Sequence, residues 1–141
     1  MSIIIKEASS LIEKEKCLAI RRFVFVQEQN ISEEIEFDDL SIKSFNFIAI
    51  FNNKFVGTAR YRITSIGIKL ERFAVLKKYR GIGIGKALVE YILKKVKEDS
   101  NIYLHAQKPV INFYKKLGFK EVGKPFFEAN ILHMKLIKIE K

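Results

Sequence analysis

Apolar and polar positions along this chain repeat with two different periods, and the switches between them outline the elements. Met1 to Lys6 is a β-branched run and predicts a short first strand. Ser10 with Glu13 three residues on has the spacing of a capping box, so a helix is expected from there to about Gln27. Leu11, Leu18, Ile20, Phe23 and Val24 would form its apolar stripe. A polar stretch without periodicity follows and reads as loop with one helical turn. Phe45 to Phe51 is a dense apolar strand, Asn52-Asn53-Lys54 a turn, and Phe55 to Ile63 the answering strand of a hairpin. Gly57 inside that strand signals a bulge or a close backbone approach. After a turn at Thr64 to Gly67, Ile68 to Leu76 continues the sheet.

A glycine-rich turn then opens a helix expected to reach about Glu98, with Leu88, Ile92 and Val96 on one face. Ile102 to His105 is a short strand. Pro109 fits the first turn of another helix, with Gly118 in the left-handed position past its end. Phe119 to Val122 and Ile131 to Ile139 supply the last strands. The order is β-α-(loop/short α)-β-β-β-α-β-α-β-β, an α/β domain with helices on both faces of one sheet.

Composition narrows the class. The 141 residues are 48% hydrophobic, enough for one folded domain over 1–141 and too many for a disordered chain. Cys17 is the only cysteine, so no disulfide framework exists and the residue reads as packing. No stretch approaches the roughly 18 apolar residues of a membrane span. No His or Cys spacing suggests a metal. The expected setting is cytoplasmic, with no membrane partner. The formal net charge of +10 points to a partner bearing phosphates, either nucleic acid or a small molecule. The charge is uneven: Glu28, Glu33, Glu34, Glu36, Asp38 and Asp39 form one acidic segment free of Lys and Arg. It is a solvated loop or, through Glu28, Glu33 or Asp38, an attractor for a cationic ligand. Arg21 with Glu28 is equally a structural pair.

The sharpest local signal is Arg80-Gly81-Ile82-Gly83-Ile84-Gly85-Lys86 between a strand and a helix. Glycines let the backbone turn tightly and approach a ligand. The first amides of the helix lack intrahelical partners and sit at the positive end of its dipole, so the turn is suited to a pyrophosphate. Arg80 and Lys86 add charge. Walker A spacing fails, because Arg80 stands where a glycine is required and Ala87 follows Lys86; the dinucleotide spacing G-x-G-x-x-G also fails.

What remains, Arg-x-x-Gly-x-Gly, resembles the acyl-CoA signature of the GCN5-related N-acetyltransferases (GNAT). Glu71-Arg72-Phe73-Ala74-Val75 is similar to that family's fourth strand, and Asn112-Phe113-Tyr114-Lys115-Lys116-Leu117-Gly118-Phe119 to its second signature. The stretch from Arg21 to Gln29, Leu104-His105-Ala106-Gln107, and Phe127-Glu128 with His133 look like the ElaA/YjcF-like branch. The resemblance implies the acyl-CoA N-acyltransferase fold, a single mixed, mainly antiparallel sheet flanked by helices. It implies acetyl-CoA as co-substrate and transfer of acetyl to a primary amine of a small molecule or protein by direct attack in a ternary complex. It also brings a homodimer into consideration.

By that resemblance Gly81, Ile82, Gly83, Ile84, Gly85, Lys86 and Arg80 hold the pyrophosphate, and Phe73, Ala74 and Val75 pair with the pantetheine arm. Gln107, where many members have Asn, and Asn112 are expected to serve the pantetheine amides. Tyr114 would be the acid at the departing sulfur, beside the alternative of a core tyrosine. Amine attack needs a neutral nitrogen and hence a base. Glu71 is one candidate, four residues before Val75 and on its face if the strand is regular, or else a salt-bridge partner. His105 and His133 are others, because imidazole titrates near neutrality; His133 and Glu28 are placed at the acceptor. Two other readings are a CoA-binding sensor without catalysis and a basic nucleic-acid-binding domain. The latter lacks any aromatic RNA-binding motif or zinc spacing.

Overall fold

The computed structural model describes residues 2–37, 43–96 and 100–139. Asp38, Asp39 and Glu98 lie outside the described residues. The strands are β1 (Ile3–Glu7), β2 (Phe45–Phe51), β3 (Lys54–Thr64), β4 (Gly67–Val75), β5 (Ile102–Gln107), β6 (Phe119–Glu128) and β7 (Ile131–Lys138). They form one sheet in the order β1-β2-β3-β4-β5-β7-β6. All neighbours are antiparallel except β4 and β5. The helices are α1 (Leu11–Arg21), α2 (Glu33–Glu36), α3 (Ile84–Lys95) and α4 (Ile111–Lys115). Both the element order and the mixed, mainly antiparallel sheet agree with the sequence expectation.

The capping box forms as expected. Ser10 Oγ accepts from the Glu13 amide, and Glu13 accepts from the Ser10 amide, both at 3.1 Å. Helical turns do continue past Arg21, but as a π-helical segment, Arg22–Glu28. Its wider turns seat both Val24 and Phe25 in the core. These join Cys17 and Ile20 against Ile48 and Ala74 on one face of the sheet. On the other face Leu88, Val89 and Ile92 of α3 cover Phe47, Leu70, Leu104 and Leu136. α3 stops at Lys95, earlier than expected, because Val96 is already extended.

Two irregularities matter for the site. β6 runs on past Val122, since a register shift between Val122 and Phe126 accommodates Gly123 and Pro125. In β4 a bulge falls opposite Ala59, between the pairs Thr58–Ala74 and Arg60–Glu71, and Arg72 there takes a left-handed φ of 59°. The irregularity expected at Gly57 is both a bulge and a close approach: the register with β2 shifts between Ala49–Gly57 and Ile50–Phe55, leaving Val56 as the extra residue. A Cβ there would stand 3.2 Å from both the Ala74 carbonyl and the Ile84 side chain.

Candidate active site

β4 and β5 pair only over Ile68–Leu70 and Ile102–Leu104. Beyond that the two strands part while each stays bonded to its outer neighbour. The gap opens into a cleft of about 960 Å³ lined by the end of β4, the end of β5, the start of α3 and Tyr114. It brings together Glu71, Phe73, Ala74, Val75, Arg80, Gly81, Gly83, Ile84, Gly85, Lys86, His105, Gln107, Tyr114 and His133. Ile82 and Asn112, both exposed, and Glu28 do not line it.

The glycine turn has the geometry of an anion cradle. Gly81 and Gly83 adopt φ of 83° and 96°, and Gly83 caps α3. A Cβ on either would meet nothing within 4 Å, so the space over the turn is open. The first intrahelical bond is made by the Ala87 amide to Gly83. The amides of Ile84, Gly85 and Lys86 therefore precede it, as the opening turn of any helix requires.

Arg80 does not project alone into that space. Its Nε donates to the Val75 carbonyl at 2.8 Å, and its two terminal nitrogens donate to the two Glu28 oxygens at 2.6 and 2.8 Å. Those hydrogen bonds hold the Glu28 carboxyl below its ordinary range. This corrects the acceptor-side assignment of Glu28: its carboxylate is occupied in pinning the end of the π-helical segment to β4. Arg21 pairs with Glu36 instead, Nε to Oε2 at 2.8 Å, both side chains buried. Beside Glu28, Gln29 accepts a hydrogen bond from Gln107 at 2.9 Å, tying the same segment to β5. Gln107 is thus placed by a partner the sequence did not suggest.

Glu71 also departs from expectation. The bulge at Arg72 breaks strand alternation, so Glu71 shares a face with Ala74 rather than Val75. It is buried among Arg60, Arg62 at 3.0 Å and Lys69 at 3.4 Å. Burial alone would raise its pKa, but the charges of Arg60, Lys69, Arg72 and Arg62 outweigh this and hold the carboxyl low. A carboxylate so stabilised in its ionised form is a poor proton acceptor. The ion-pair alternative describes it, and the base must be sought elsewhere.

The imidazoles offer that. His105 Nδ1 lies 3.3 Å from Glu128 Oε2, and His133 Nε2 lies 3.9 Å from Glu128 Oε1. The hydrogen bond from His105 leads the influences that lower the Glu128 carboxyl to about 2. An ionised Glu128 selects the tautomer with the proton on Nδ1 and leaves His105 Nε2 as the acceptor. His133 donates from Nδ1 to the Ile131 carbonyl at 2.7 Å and stacks on Phe126. Glu128 was quoted within a motif but given no role by sequence reasoning. The β6–β7 hairpin register, which sets Phe126 opposite His133, is the signal that could have found it.

Tyr114 is buried, its ring edge-on to Phe73 and Phe119. Its hydroxyl has no hydrogen-bond partner among the described residues, and burial pushes the phenol well above its ordinary range. It therefore keeps its proton at any working pH.

A protein-family model described as an acetyltransferase (GNAT) domain matches residues 12–139. The chain belongs to the GNAT acetyltransferase family. It is 36% identical over 139 residues to Bacillus subtilis YyaT, covering 95% of this chain and 94% of that protein. It is 35% identical over 122 residues to the N-acetyltransferase YjcF of the same organism, covering 84% and 87%. The crystal structure of Escherichia coli ElaA superposes with a TM-score of 0.85 at 26% identity, covering 98% of this chain and 100% of that one. An aminoglycoside 6′-N-acetyltransferase complexed with coenzyme A shares the fold, with a TM-score of 0.75 at 18% identity over 98% and 96%. The family makes this chain an N-acetyltransferase.

Proposed function

We propose that this GNAT member moves an acetyl group from acetyl-CoA to a primary amine by direct attack within a ternary complex. The observation that carries the reading is one cleft holding both an open, left-handed glycine cradle at the start of α3 and the Glu128-braced imidazoles. Bound acetyl-CoA supplies an activated thioester carbonyl. The amides of Ile84, Gly85 and Lys86, with the Lys86 charge, suit its pyrophosphate. Phe73, Ala74 and Val75, whose strand edge is left unpaired where β4 leaves β5, suit the pantetheine arm. Gln107 is held by Gln29 beside that arm.

The chain's own groups then manage the protons. Glu128 attracts the cationic amine and fixes the His105 tautomer. His105 Nε2 accepts the amine proton, which neutralises the nitrogen. Tyr114 holds its hydroxyl proton toward the cleft, where it can hydrogen-bond a departing sulfur. An amide at Val75 serves the carbonyl oxygen as its charge grows. Juxtaposing the two substrates supplies much of the remaining rate.

The test has two parts. Thermal shift with acetyl-CoA should show clear stabilisation, and its absence sinks the reading. Thiol release across a panel of amines should then show turnover that His105→Ala slows while acetyl-CoA stabilisation is kept. Unchanged turnover removes His105 as the base.

A further inference from the structure

The parallel ladder between β4 and β5 ends at Leu70 and Leu104, and no strand joins the two ends beyond it. A path of side chains does. Arg80 donates from Nε to the Val75 carbonyl and from its terminal nitrogens to Glu28; the next residue, Gln29, accepts from Gln107 Nε2. Val75 is the last residue of β4 and Gln107 the last of β5. Two consecutive residues at the end of the π-helical segment therefore reach the tips of both strands. That segment is itself fixed. Its Val24 and Phe25 are in the core, the Gln29 amide donates to the Val24 carbonyl at 3.1 Å, and the Ile31 amide donates to the Phe25 carbonyl at 2.9 Å. Ile31 packs in the same cluster as Leu76, the residue after β4. A bar seated in the core thus bridges the wide end of the cleft.

We propose that Glu28 and Gln29 are positioning residues that fix the separation of the two strand ends, and with it the seat of the co-substrate's extended arm. The inference rests on the acetyl-transfer reading above and adds to it two residues that do not themselves line the cleft. Glu28 acts through Arg80. Its two oxygens hold the guanidinium as a fork, and Arg80 in turn holds the tip of β4 by the Val75 carbonyl. Gln29 acts through Gln107. By accepting from Nε2 it orients that carboxamide and leaves Gln107 Oε1 as an acceptor at the cleft. A gap already set to width admits an amide-bearing arm without the entropy loss of ordering two strand ends, which is what preorganisation contributes to affinity. The two links lie in series, one from the segment to β4 and the other from the segment to β5. Cutting either frees the gap, and cutting both frees it no further. The fold itself gains little from the first link, because the Glu28 and Arg80 side chains are 31% and 39% exposed and an ion pair so open is weak.

The experiment measures acetyl-CoA binding by calorimetry, and melting without ligand, for wild type, Glu28→Ala, Gln29→Leu, the double variant and Gln29→Glu. The last keeps an acceptor for Gln107. Glu28→Ala and Gln29→Leu should each weaken binding about tenfold, the size of one lost hydrogen bond, while the melting temperature holds within about 3 °C. The double variant should bind no more weakly than the weaker single variant. Gln29→Glu should bind within about threefold of wild type. Losses that multiply to about a hundredfold in the double variant describe two local contacts and overturn the proposal, as does unchanged binding in either single variant. Tighter binding by Glu28→Ala overturns it too, because Glu28 would then be withholding Arg80 from the cradle. So does a Gln29→Glu that binds no better than Gln29→Leu, or a fall in melting temperature well beyond 3 °C, which would assign the two residues to the fold alone. Failure of the wild type to bind acetyl-CoA removes the acetyl-transfer reading itself, whereas all the other outcomes leave that reading standing.

Discussion

The Arg21–Glu36 pair allows a stability prediction with a worked magnitude. Both side chains are 3% exposed, and Arg21 also donates to the Glu36 carbonyl at 3.0 Å. Glu36→Leu leaves a buried guanidinium without its main counter-ion, which typically costs about 3–5 kcal/mol. Unfolding entropy of about 2.1 cal/mol/K per residue, over 141 residues, gives about 0.3 kcal/mol per degree. The melting temperature should therefore fall by about 10–17 °C. Arg21→Met should cost less, because Arg72 still balances Glu36. The double variant Arg21→Met/Glu36→Leu should recover all but about 1–2 kcal/mol. What stays lost is the bond to the Glu36 carbonyl and the longer Arg72–Glu36 ion pair. Thermal melts of the four proteins form a double-mutant cycle. If the double variant is as unstable as the two single losses added together, the side chains are not energetically coupled and the reasoning fails.

Three further outcomes follow from the same geometry. Tyr114→Phe removes a hydroxyl with no hydrogen-bond partner among the described residues, so the melting temperature should hold within about 2 °C while kcat falls about a hundredfold at unchanged acetyl-CoA affinity; equal turnover removes it from the chemistry. Gly83→Ala forces a Cβ into a φ of 96°, at about 1–2 kcal/mol of strain, and its Cβ fills the open cradle, so calorimetry should show both lower stability and weaker acetyl-CoA binding. Glu13, paired first with Lys6, and Glu128, bonded first by His105, are both lowered from 4.5 to about 2. Each therefore stabilises the fold above about pH 4.5 and loses that contribution as pH falls toward 2. Glu128 is half exposed, so screening limits its share to under about 1 kcal/mol. Melts at pH 5 and pH 3 should converge for wild type and Glu128→Gln, and a constant gap would contradict the assignment.

The parts of this molecule legible from sequence were those written in local rules. A capping box needs four consecutive residues, Ser10 to Glu13, and the glycine turn needs seven. Strand alternation also lies within a short window, which is why the element order was readable. The parts that escaped depend on pairing across the sheet. Glu28 meets Arg80 fifty-two positions away, and Gln29 meets Gln107 seventy-eight away. No periodicity encodes either. Glu71 was misread for a subtler reason: one extra residue in β4 shifts the face of everything after it, and Arg72 carries no glycine-like signature of its left-handed φ.

That one bulge has two consequences that are physically linked. It sets Ala74, rather than Val75, on the face of Glu71, which the regular pairing just before the bulge already holds against Arg60 and Arg62. It also lies where β4 stops pairing with β5, because the parallel ladder ends at Leu70 and the bulge follows within two residues. A regular β4 would continue the ladder toward Gln107 and close the cleft with backbone hydrogen bonds. The ends of both strands instead keep only their outer strand neighbours, leaving two facing edges that no strand covers. Backbone groups on such edges take other partners, as the Val75 carbonyl does from Arg80 Nε. An extended, amide-bearing ligand would fit the opening between Val75 and Gln107, so the irregularity that re-faces the end of β4 adjoins the place where the proposed co-substrate would lie.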